Sequence, residues 1–260
     1  MNLGLNKRQK IIVATVVVTA GLLSTQLVDF NLRFRFLLGL SVLTYLVSLW
    51  ALQEGIDRLK AVLLLILPTL FTLAVASFYF LLPVRWLTRL PVAIIFGLSF
   101  YLLLLSQNVF NVAAVRTIPL YRAASTVAFL FTLITSFFLF NVAFAFNLLF
   151  FINGLLVFGI SFPLILHILW SLEMEERLKF NTIAYSLILA LCLGEIALVL
   201  SFWPMVTIIW SLTLSSLTYV LLGLSTSYLR GRFGNRLMWE YLGIGFIIFG
   251  IAFSGTYLAG

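Results

Sequence analysis

The chain of 260 residues is 63% apolar and only 9% charged, against roughly 45–50% and roughly 25% in an ordinary soluble domain. Sixteen basic and eight acidic side chains cannot clothe a water-facing globule of this size, so the solvent is lipid. The net charge of +8 lies in short gaps between apolar runs rather than on a basic surface, which excludes a nucleic-acid-binding domain.

A hydrocarbon core about 30 Å thick asks for about 20 apolar residues per helix. Nine windows qualify, at 11–28, 36–53, 61–82, 90–110, 123–145, 148–171, 182–203, 205–226 and 239–259. The longest gaps between them, 111–122 and 227–238, hold no soluble module. Continuous apolar runs without period-two alternation select helices over barrel strands. The expected fold is therefore all-α: a polytopic transmembrane bundle of about nine spans, one integral membrane domain over 1–260.

Taken in chain order, the first window follows Lys7, Arg8 and Lys10. Its apolar stretch exceeds the roughly 7–15 residues of a signal peptide and no A-x-A site follows, so it is expected to be a retained anchor. Residues 107–122 mix Gln107, Asn108, Asn111, Arg116 and Pro119 with apolar neighbours, a pattern of an interfacial or re-entrant segment. Ala123 to Ser171 carries no charge and is too long for one helix, which predicts a tight turn at Phe146 and Asn147. A second turn is expected at Phe202, Trp203 and Pro204. Glu173, Glu175, Glu176, Arg177 and Lys179 predict a helix end continuing into water.

Excess Lys and Arg in short loops marks the cytoplasmic side. With nine spans and the N-terminus inside, the inner segments hold Lys7, Arg8, Lys10, Arg58, Lys60, Arg116, Arg122, Arg177, Lys179, Arg230, Arg232 and Arg236. The outer ones hold Arg33, Arg35, Arg85 and Arg89. This alternation predicts a cytoplasmic N-terminus and an external C-terminus in a plasma or inner membrane. Arg116, Arg122, Arg230, Arg232 and Arg236 are expected to contact anionic lipid headgroups or a partner, the alternative being ordinary positive-inside anchoring.

Inside the membrane, helices associate through small residues and interhelical hydrogen bonds. The last helix carries Gly243, Gly250 and Ser254 on one face and Gly245 and Gly255 on another, and both faces are expected to meet neighbours. The eighth presents Thr207, Ser211, Ser215 and Thr218 as a hydroxyl stripe. The stripe is either the wall of a polar path or a set of hydroxyls bonded to the carbonyls of the preceding turn. Glu195 lies in the seventh window, where a carboxylate costs roughly 2.5–3.5 kcal/mol. It is expected to face the bundle interior, uncharged or partnered, with Asn141 and Asn153 nearest in depth. His167, beside no acid in its own helix, is expected at the interface.

The single Cys192 and single His167 offer no metal or redox cluster, and hydrolase, Walker and zinc motifs are absent. The expectation is a chain without cofactor, metal or nucleic-acid partner and without enzymatic activity. Two functions suit it best, an intramembrane enzyme coming third because the catalytic inventory is thin. One is a small transporter for a solute, ion or lipid, with Glu195 as a proton or cation site near Asn141, Asn153 and the hydroxyl stripe. The other is a scaffold or assembly subunit that binds further membrane proteins.

Overall fold

A computed structural model describes residues 6–25, 32–81, 86–112, 118–174, 177–232 and 234–257. Among these the chain is all-helical, with no strand. The helices are α1 (Lys7–Ser24), α2 (Arg33–Leu52), α3 (Arg58–Tyr79), α4 (Trp86–Val112), α5 (Ile118–Ala145), α6 (Phe150–Glu173), α7 (Phe180–Leu200), α8 (Thr207–Leu229) and α9 (Asn235–Tyr257). Each expected window finds its helix, with ends displaced by a few residues.

Eight of the nine are long and apolar enough to cross a bilayer, so the chain is an integral membrane protein. The exception is α1. It spends its first turn on Lys7, Arg8 and Lys10, and the remaining stretch from Ile11 to Ser24 is about 21 Å long at 1.5 Å per residue. Its packing is nonetheless that of a bundle helix. Ile11, Ala14, Val18 and Leu22 form one fully buried stripe, while Ile12, Val13 and Val16 are exposed.

The chain divides into two compact units. The first comprises Met1–Thr135 with Met174–Arg177 and the second Ser136–Glu173 with Leu178–Gly260, so α5 contributes to both.

In the first unit α1 packs on α2 and α4, and α3 on α2 and α4. Aromatic rings fill the space between α3, α4 and the first part of α5. Phe71 stacks on Phe96 at 5.6 Å and meets Phe131 edge-on at 5.1 Å. One end of this unit is tied by polar groups. Gly55, with φ +78, occupies the left-handed region that glycine adopts without steric cost and turns the chain out of α2. The turn presents Glu54 to Lys10 at 2.7 Å. From α4, Asn111 donates from Nδ2 to the carbonyls of Leu52 and Glu54, both at 3.0 Å. The first is a carbonyl that the end of α2 cannot satisfy itself, the second one of the turn that follows. The Lys10 ammonium, bonded to Glu54 and attracting it, holds that carboxyl below its usual range.

This geometry corrects the expectation for 107–122. Gln107, Asn108 and Asn111 are not loop residues but the last turns of α4, and α5 is helical from Ile118. A bond to a neighbouring helix end makes polar side chains useful at that depth. Residues 113–117, and with them Arg116, lie outside the described residues.

In the second unit α6 and α7 form the most extensive helix pair of the chain, α9 packs on α8, and α7 meets α8. The expected turn at Phe146 and Asn147 is present, with Asn147 at φ 49. The break at Phe202–Pro204 separates α7 from α8. Two expectations are corrected. The α6 helix does not continue to Lys179 but ends at Glu173, an exposed residue whose carboxylate accepts from Thr182 Oγ1 at 3.1 Å and pairs with Lys179 at 3.7 Å; Glu175 and Glu176 lie outside the described residues. His167 is fully buried rather than interfacial.

Candidate functional site

The α6–α7 seam sets the orientation of everything else on α7. Thr182, Ser186, Ala190 and Gly194 recur every four residues and are all buried, followed by Ala197. A spacing of four keeps small side chains on one face and lets helices approach closely in lipid. Facing them on α6 are Gly154, Val157 and Ser161, also buried. The closest approach joins two glycines. A Cβ built on Gly194 would lie 2.9 Å from the Gly154 carbonyl oxygen, and one built on Gly154 would lie 3.0 Å from that of Gly194. As expected of Gly194, its missing side chain admits a second backbone.

Glu195, one residue on, consequently points elsewhere. It is exposed in a stripe with Leu187, Leu191 and Val199, which are 46%, 50% and 66% exposed. The expectation of an interior-facing acid is therefore not met: the interior face of α7 is filled by the small-residue seam. Among the described residues Glu195 has neither a hydrogen bond nor an ion pair. It lies five residues before Leu200, about 7.5 Å along the axis from the helix end, too deep to count as part of the connecting turn.

The two asparagines do not converge on it. Asn141 Nδ2 donates to Ser211 Oγ at 3.1 Å, joining α5 to α8 beside the Phe144–Trp210 stack at 4.1 Å. Asn153 Nδ2 donates to Ser201 Oγ at 3.3 Å, near the close of the α6–α7 pair. Both asparagines are buried, and each joins helices within the second unit.

The hydroxyl stripe of α8 is present as a face. Ser211, Ser215 and Thr218 are buried and Thr207 is half-buried. Three of its four hydroxyls turn back onto their own helix. Ser211 Oγ donates to Thr207 O and Ile208 O, Ser215 Oγ to Leu212 O at 3.1 Å, and Thr218 Oγ1 to Leu214 O at 2.9 Å. Such bonds satisfy a hydroxyl in an apolar setting without any second polar partner.

On α9 the small residues lack the neighbours expected of them. A Cβ at Gly243, Gly245 or Gly250 would meet nothing within 4 Å, and Ser254 is exposed with its hydroxyl donating to Ile251 O at 3.1 Å. Only 6% of the membrane-length part of α9 is buried. Its contact with α8 runs instead through Tyr241, which lies against Gly223; Ala252 is buried. Gly255 falls within α9.

Of the basic residues, Arg122, Arg230 and Arg232 are exposed and make no ion pair among the described residues. Arg236 pairs with Glu240 at 3.2 Å across one helical turn. Gly231, at φ +65, reverses the chain between Arg230 and Arg232. No three His, Cys, Asp or Glu side chains converge among the described residues.

Residues 50–255 match the family described as "Protein of unknown function (DUF5656)", and the chain belongs to it. The matched stretch contains α3 to α8 whole, most of α9, and Glu195. No curated protein and no solved structure matches the chain.

Proposed function

We propose that this member of the family is a non-catalytic subunit of a membrane assembly, which holds a partner's transmembrane helix along the outward face of α7 with Glu195 as the polar anchor. One observation carries the proposal. A carboxyl within an otherwise apolar, outward-facing stripe is costly in lipid, roughly 2.5–3.5 kcal/mol at the centre of a span and less toward its ends, and a donor on a second chain removes that cost. The nearly unburied α9, with Gly243, Gly250 and Ser254 on its open side, offers a further surface for close helix contact.

The chain is proposed to cross the membrane nine times, α1 included, in a plasma or inner membrane. Its N-terminus lies in the cytoplasm and its C-terminus outside, as the placement of Lys and Arg favours. Arg122, Arg230 and Arg232, and Arg116 in the same set, then meet anionic headgroups on the cytoplasmic side.

Transport is the second reading, and the intramembrane acid is the observation in its favour. Against it stand the outward direction of Glu195 and the self-bonded hydroxyls of α8. Native membranes solubilised in mild detergent separate the two. The subunit reading expects a stoichiometric complex that survives Glu195→Gln, which keeps a donor and an acceptor, and dissociates with Glu195→Leu, while the thermal midpoint of the isolated chain is unchanged or raised. Proton-coupled flux by the chain alone in proteoliposomes, abolished by Glu195→Gln, overturns the subunit reading.

A further inference from the structure

The first unit carries a cleft that neither the α7 surface nor the α9 surface uses. It has a volume of about 580 Å³ and is lined by Gly21 and Ser24 of α1, Leu32, and Arg35, Phe36, Gly39, Leu40 and Leu43 of α2. Two glycines shape it. At Gly21 the chain admits the tip of Leu40, which lies 2.6 Å from where a Cβ would stand, whereas at Gly39 a Cβ would meet nothing within 4 Å. A side chain at Gly39 would thus enter the cleft.

Its chemistry is graded along its length. Arg35 stands in the first turn of α2, at the end of the unit remote from the Lys10–Glu54 pair. Its guanidinium has no hydrogen-bond or ion-pair partner among the described residues. Arg33 differs, lying over the Phe80 ring at 5.1 Å. From Arg35 the lining runs inward to Leu43 through apolar groups. Eight residues of helix make that depth about 12 Å. The one hydroxyl, Ser24 Oγ, is engaged by the Gly21 carbonyl at 2.7 Å. The cleft therefore presents a fixed cation at the membrane surface and a hydrocarbon slot beneath it.

The lining selects the occupant: Leu32, Phe36, Leu40 and Leu43 beneath a single cation suit a flexible hydrocarbon chain that carries a charged head. A cation without a counter-charge favours an anion above it.

We infer that this cleft is a lipid site: it takes one acyl chain of an anionic phospholipid between α1 and α2, with the headgroup phosphate on Arg35. The site lies before residue 50, outside the stretch that matches the family, and is independent of the subunit proposal.

Photolabelling tests it. The full chain is reconstituted in phosphatidylcholine vesicles with a trace of phosphatidylglycerol carrying an acyl-chain diazirine, irradiated, and its labelled peptides mapped. A parallel sample carries the diazirine on phosphatidylcholine. The expected result is label concentrated on Phe36, Leu40 and Leu43 over the adjacent exposed face of Leu38, Val42 and Leu46, with the phosphatidylglycerol probe favoured. Gly39→Phe, whose Cβ meets nothing within 4 Å and whose ring enters the slot, removes the concentrated label. Arg35→Gln lowers labelling by phosphatidylglycerol about fivefold, the worth of roughly 1 kcal/mol per basic residue, and lowers the phosphatidylcholine signal less, because choline cancels the charge of that phosphate. Label spread evenly around α2, or undiminished in Gly39→Phe of unchanged thermal midpoint, overturns the site. Equal labelling by the two headgroups, unaffected by Arg35→Gln, overturns the role of Arg35.

Discussion

A methyl group added at Gly194 meets the Gly154 carbonyl oxygen at 2.9 Å and the Phe158 Cβ at 3.0 Å, whereas one added at Gly243 meets nothing within 4 Å. Backbone on the facing helix cannot swing aside, so Gly194→Ala is expected to destabilise the protein by about 1–3 kcal/mol through overpacking. Gly243→Ala, in an open helix position, is expected to stabilise it by about 0.5–1 kcal/mol, because alanine loses less backbone freedom on entering a helix. Thermal unfolding in detergent, followed through exposure of the single thiol of Cys192, measures both. Equal responses at the two glycines would show that the α6–α7 seam is looser than its geometry. The sequence carries a sign of this seam in Thr182, Ser186, Ala190 and Gly194, one small residue every four. The glycines of α9 draw more notice by type, but Gly243 and Gly250 lie seven apart with Phe246 and Ile247 between them, too sparse to line a contact. Glu195 was legible as an anomaly and not as a direction. Which way it points follows from the seam beside it.

Among elements, α8 separates hydroxyls that hold the fold from hydroxyls that fill it. Thr218 and Ser215 bond only carbonyls of their own helix, so Thr218→Val, which keeps the shape, is expected to change stability by less than about 1 kcal/mol. Ser211 is different because it also accepts from Asn141 at 3.1 Å. Ser211→Ala leaves a buried amide donor without its acceptor and is expected to cost about 1–3 kcal/mol. A double-mutant cycle with Asn141→Leu isolates the pair: a coupling near zero removes the bond from the account of how α5 holds α8. The helices themselves were readable because the thickness of lipid fixes their length. Their turns were readable wherever a residue unsuited to a helix, such as Asn147 or Pro204, stood between two runs. Rotation about each axis was not, since a helix apolar on all sides has no solvent-facing stripe to orient it. The polar end of α4 misled for the same reason: Asn111 serves two carbonyls 57 and 59 residues away, a partnership that no local pattern announces.

For the molecule as a whole, the number of crossings decides where the ends lie. Eight helices satisfy length and apolarity alone, and α1 falls short by composition. Its packing argues for inclusion. Lys10 near its start bonds Glu54 just past the end of α2, and Gly21 near its close lies against Leu40, so α1 runs antiparallel to a spanning helix through much of its depth. Reporter tags are expected on opposite faces of the membrane, the amino-terminal one cytoplasmic. Tags on one face would mean that α1 lies along the surface, and the alternation of basic loops would then need another origin.

Synthesis delivers these helices one after another from the amino end. Only six residues separate α6 from α7, Glu173 bonds Thr182 and Lys179 across that gap, and the contact between the helices needs nothing from α8 or α9. Pairing so local in the chain is quick to form. The glycine joint can therefore close while the carboxyl-terminal helices are still in the ribosome, and whatever arrives later is fitted to a finished hairpin.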